Sequence, residues 1–137
     1  MLFRSWYLAY KPDLVPSVSN RFLVIINALL VAFSVVVALA GSAPKGNAVA
    51  AWLTLAALLF SNGIFHIIGA VQTRRYSPGM ISGTVLYLPL AVYGFAHFLR
   101  GGQASVGTAL VALVIGGSYH SVSFAMHRQR ARRMRAE

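Results

Sequence analysis

Two histidines, His66 and His120, each stand eight residues before the arginine that closes an apolar run, Arg74 in one case and Arg128 in the other. Imidazole is the side chain best suited to moving a proton or binding a metal near neutral pH, and it is costly to leave unsatisfied among apolar groups. Asn62 lies one helical turn before His66 on the same face, where it can orient the ring. Tyr119 adjoins His120, Asn27 follows Arg21 by six residues, and Thr84 follows Gly79 by five. Two chemistries suit this set. The groups can act as hydrogen-bond glue between helices. Alternatively, His66 and His120 can serve as ligands or proton carriers in a site open to one membrane leaflet. A catalytic zinc takes three protein ligands and a water, so two imidazoles make a poor metal site, and the sequence assigns neither a metal nor a cofactor.

These residues need elements that hold them at one depth. Asp13 and Glu137 are the only acids in 137 residues, against twelve lysines and arginines, and 58% of the chain is hydrophobic. A soluble surface needs charge of both signs. Hydrocarbon tolerates such a composition, so the chain reads as all-α and membrane-integral. Cysteine is absent, which removes disulfides, thiolate metal sites and thiol nucleophiles. The sequence also has no phosphate-binding glycine loop, and its serines lack the partners of a hydrolytic triad.

About twenty helical residues cross a bilayer core, and four apolar segments approach that length, near 22–40, 48–71, 80–99 and 104–126. The turn signals between them are Gly41 to Gly46, Ser77-Pro78-Gly79 and Gly101-Gly102. Pro89 falls inside the third span, where neighbouring groups can satisfy the freed carbonyl. The expected architecture is a compact bundle of four transmembrane helices. An interfacial segment (1–20) precedes the transmembrane domain (21–126), and a basic tail (127–137) follows it. In residues 1–15, Phe3, Trp6, Tyr7 and Tyr10 alternate with Arg4 and Lys11, a mixture suited to the headgroup layer.

Ten basic residues then lie on one side of the membrane, including Arg74, Arg75, Arg128, Arg130, Arg132, Arg133 and Arg135. Only Lys45 and Arg100 lie on the other. The positive-inside bias puts both termini in the cytoplasm. Basic residues at span ends and in a tail are expected to meet anionic lipid headgroups, not nucleic acid. At about 1.5 Å per residue, Asn27, His66, Thr84 and His120 fall at one level in the inner half of the membrane, with Asn62 slightly deeper.

The run Asn62-Gly63-Ile64-Phe65-His66, followed by Arg75-Tyr76-Ser77-Pro78-Gly79 and by Pro89 ten residues later, resembles the bacterial HXXEE-domain family. The resemblance covers about Trp6 to His120. It implies a compact multi-span fold in a bacterial inner (cytoplasmic) membrane, with Pro78-Gly79 reversing the chain between spans and Tyr76 at headgroup depth. The family is named for a histidine followed by two adjacent glutamates on an earlier helix, and this chain has no such run. An earlier helix, a partner that supplies it, or a degenerate non-catalytic member would each account for the difference.

The expected function is that of a non-catalytic accessory or assembly subunit, packed against a larger integral membrane complex or a copy of itself. The alternative is a metal-dependent enzyme acting on a lipid or isoprenoid at the inner leaflet through His66 and His120. A small carrier or channel is a third possibility, with few intramembrane charges to line a path.

Overall fold

A computed structural model describes residues 2–17, 19–40 and 46–136. Five helices account for most of them, and no strand occurs among the described residues. They are α1 (Leu2–Tyr10), α2 (Asn20–Ala40), α3 (Asn47–Thr73), α4 (Met80–Arg100) and α5 (Val106–Ala136). A short 3-10 turn, Pro12–Ser17, follows α1. Three helices, α3, α4 and α5, are long and apolar enough to cross a membrane. In α2 the described apolar stretch is the shorter Val24–Val37. The turn signal at residues 41–45 lies outside the described residues, as do Met1 and Glu137.

Helix α3 is the central element, with every other helix packed against it. It ends at Arg74, which takes the left-handed conformation (φ 51°, ψ 31°) usually left to glycine or asparagine. Three residues later the chain reverses at Ser77-Pro78-Gly79. Gly79 has φ 105°, a conformation that side-chain-bearing residues rarely adopt. Where α3 and α4 cross, Gly63 meets Gly83: a Cβ on Gly83 would lie 2.8 Å from the Gly63 Cα. The small pair lets the two backbones touch, as at close helix crossings in membranes.

Pro89 is accommodated within α4 itself. The helix widens into a π turn over Gly83–Tyr87, and α-helical bonding resumes at Leu88. Pro89 thereby sits in the first turn of the resumed segment, where its missing N–H costs least. Helix α5 starts with Ser105 as N-cap, its side chain accepting from Thr108 N at 3.0 Å. It continues past one irregular turn at Ser118 to Ala136.

Two apolar clusters occupy opposite ends of the bundle. Val49, Leu53, Phe98 and Ala112 form one, and Trp6, Tyr7, Leu14 and Phe65 the other. The second takes in two of the N-terminal aromatics. Trp6 and Tyr7 are buried in protein, because Phe65 and His66 on α3 offer rings to stack against. Much of the remaining apolar surface on α2, α4 and α5 is exposed, including Val31, Leu39, Val85, Val92 and Val114. Such an apolar exterior suits a lipid environment.

Candidate functional site

The polar residues of α3 and α5 converge beneath the α3–α4 reversal. His66 is 5% exposed, and Ser77 is fully buried. The His66 Nδ1 lies 2.6 Å from the Ser77 hydroxyl. On the other side of the ring, Nε2 faces Gly79 so closely that a Cβ there would sit 3.0 Å from it. Trp6 stacks on the same imidazole, with centroids 5.3 Å apart and planes at 27°. The turn between two helices is thus folded onto a histidine.

His120 has different surroundings. Phe65 stacks on it at 4.6 Å and 17°, and the Phe65 ring also meets His66 edge-on at 5.4 Å. Tyr119 packs edge-on to His120 at 5.1 Å. The His120 Nε2 is buried with no hydrogen-bond partner among the described residues. A cavity of about 200 Å³ opens beside these groups. Its lining includes Asn27, Asn62, His66, Tyr119 and His120, so five of the six residues assigned to a common layer border one space.

Thr84 is the sixth, and it is not there. It is exposed, and its hydroxyl donates to the Met80 carbonyl at 2.9 Å. The π turn is the cause. Its wider spacing carries Ser82 and Tyr87, five residues apart, to the cavity and leaves Thr84 outside. Tyr7, Ser123 and His127 also line the space. His120, Ser123 and His127 follow i, i+3, i+7 spacing, so a helical-face reading of α5 would have found the latter two. Burial, reinforced by the Asp13 carboxylate, pushes the Tyr7 phenol up to about 12.

Of the loop residues, Pro78 and Gly79 border the cavity while Arg75 and Tyr76 are exposed. Arg74, Arg130, Arg132 and Arg133 are exposed as well. Two other tail arginines hold the N-terminal turn. The Arg128 Nε donates to Asp13 Oδ2 at 3.0 Å, and Arg135 Nη2 donates to the Asp13 carbonyl at 3.0 Å. Nearby, the Ser17 hydroxyl donates to the Leu14 carbonyl and lies 3.0 Å from His127 Nδ1. With its one proton on Leu14, that hydroxyl accepts from the imidazole N–H.

Among the described residues, no three histidines or acids stand close enough to hold a metal. The residues lining the cavity offer hydrogen-bonding groups and imidazoles, without a carboxylate among them.

The model of a family described as proteins of unknown function with an HXXEE motif matches residues 1–94. The chain belongs to the HXXEE family. The match takes in α1 to α3 and most of α4, so it includes Asn62, His66 and the Ser77–Gly79 turn but stops before His120. This HXXEE protein carries no His-x-x-Glu-Glu run within its 137 residues. No curated protein and no solved structure matches it.

Proposed function

We propose that this HXXEE protein is a small bacterial inner-membrane protein that acts without catalysis, as an accessory or assembly subunit of a larger integral membrane complex. In this reading α2 is a fourth span, both termini are cytoplasmic, and the basic residues of the α3–α4 turn and tail meet anionic headgroups. The charge asymmetry of ten basic residues against two supports the orientation.

One observation carries the assembly role. The histidine inside the family match holds the α3–α4 turn in place, through Ser77 at Nδ1 and the close backbone of Gly79 at Nε2. A ring bonded to Ser77 and packed close to Gly79 is suited to positioning helices. Affinity capture of the tagged chain from membranes in mild detergent tests the role. Stoichiometric recovery of another integral membrane protein is the expected result. Recovery as a lone monomer would overturn it.

A second reading is favoured by the unpartnered Nε2 of His120 beside the cavity. Here His66 and His120 serve a metal-dependent reaction on a lipid or isoprenoid at the inner leaflet, with acids supplied by another helix or chain. Elemental analysis of the captured complex separates the two. A stoichiometric transition metal that disappears with His120→Ala favours the enzyme.

A further inference from the structure

A second and larger hollow, about 760 Å³, runs along α5 beside the histidine-lined cavity. Ligand sites usually occupy about 300–1,000 Å³, so the volume suits a sizeable molecule. Its floor is one helical stripe, Ile115, Val122, Met126, Arg130 and Arg133, with Leu58 of α3 and Ile26 of α2 as the facing wall. The stripe changes character along its length. It is apolar as far as Met126 and strongly cationic in its last two turns.

We infer that this groove holds one anionic phospholipid, its phosphate on Arg130 and Arg133 and an acyl chain along the apolar floor. Charge complementarity is the first argument. Arg128 and Arg135 are engaged with Asp13, whereas Arg130 and Arg133 form no ion pair among the described residues. Two exposed guanidiniums beside an apolar channel match a phosphodiester, which arginine binds in bidentate fashion.

Length is the second argument. From Ile115 to Arg133 the stripe extends about 27 Å at the helical rise. One leaflet supplies about 15 Å of hydrocarbon and a headgroup layer of about 6 Å, so the groove reaches across a leaflet. An acyl chain also suits walls that offer few hydrogen bonds. The groove shares Tyr119, Ser123 and His127 with the histidine-lined cavity, so the bound lipid adjoins the polar layer.

The inference rests on the membrane placement proposed above and is independent of the assembly role. The full chain, purified in mild detergent and offered phosphatidylglycerol or phosphatidylcholine, is examined by native mass spectrometry. One phosphatidylglycerol per chain is expected, retained in preference to phosphatidylcholine. In Arg130→Gln/Arg133→Gln, retention falls about thirtyfold, the scale for removing two cations at a headgroup. Lys45→Gln/Arg100→Gln, equal in charge lost and on the opposite side of the membrane in this reading, leaves retention unchanged. Val122→Trp, which fills the channel and keeps both arginines, lowers it. Equal losses in the two double charge variants, no headgroup preference, or full retention in Val122→Trp overturns the proposal. Displacement by inorganic phosphate alone, or another polypeptide in place of lipid, does the same. Release of the protein from native membranes by alkaline carbonate would instead overturn the membrane placement.

Discussion

The Nδ1 of His66 and the hydroxyl of Ser77 lie 2.6 Å apart, across the reversal that joins α3 to α4. Both residues are buried, so this bond closes the turn where water cannot substitute. Removing the hydroxyl takes a hydrogen-bond partner from a buried ring nitrogen. Ser77→Ala is therefore expected to lower stability by about 1–3 kcal/mol, measured by unfolding in detergent. Ser77→Thr keeps the hydroxyl and should lose less.

Gly79 faces the other nitrogen of the same ring. Its φ of 105° disfavours any side chain, and a Cβ would press on His66 Nε2. Gly102 also has a positive φ, 65°, but a Cβ there meets nothing within 4 Å. Gly79→Ala is expected to cost about 1–3 kcal/mol from backbone strain together with crowding. Gly102→Ala, with strain alone, should cost about 1–2 kcal/mol at most. Parallel melting curves check the order, and equal losses would show that His66 yields easily.

Three of the four apolar runs were legible as long apolar helices, because such runs and their arginine boundaries obey simple length and charge rules. The same arginine-referenced depths placed Asn27, Asn62, His66, Tyr119 and His120 on a common level, and all five border one cavity. Thr84 escaped this logic because depth is not direction. A π turn changes which residues face inward, and no residue type announces it except the proline that follows. Ser77 was visible only as part of a turn motif. Its bond to His66 depends on how the reversal folds back onto α3, which local spacing does not encode. The packing of Trp6 and Tyr7 against α3 was hidden for a similar reason, since composition does not encode which rings they meet.

Tyr7 supplies a pH test outside the spanning helices. Its phenol is raised from 10 to about 12, by burial first and by the Asp13 carboxylate second. A raised acid pKa means that the folded state favours the neutral phenol. That contribution is fully present below pH 10 and is lost as pH rises toward 12. Wild-type stability should therefore fall across this window. Tyr7→Phe cannot ionise at this position and should show a shallower decline. Identical slopes would show that the phenol's burial does not govern alkaline unfolding.

The N-terminal turn is fastened to α5 by contacts of unequal worth. Asp13 and Arg128 are 44% and 61% exposed, so their ion pair is screened by water and salt. Asp13→Asn should cost no more than about 1 kcal/mol, shrinking further at high ionic strength. Ser17 and His127 are buried, and their 3.0 Å contact has no solvent to replace it. A double-mutant cycle of Ser17→Ala and His127→Ala should return a coupling energy of about 0.5–2 kcal/mol, nearly independent of salt. Because the same turn carries the buried Leu14, losing the Ser17 contact should also loosen the cluster around Trp6. Tryptophan fluorescence of Ser17→Ala can test this, although Trp52 also contributes to the signal. The Ser17→Ala/Trp52→Phe variant isolates Trp6. A red-shifted emission relative to Trp52→Phe alone is expected, and an unchanged spectrum would mean that α1 keeps its seat on Phe65 without the Ser17 contact.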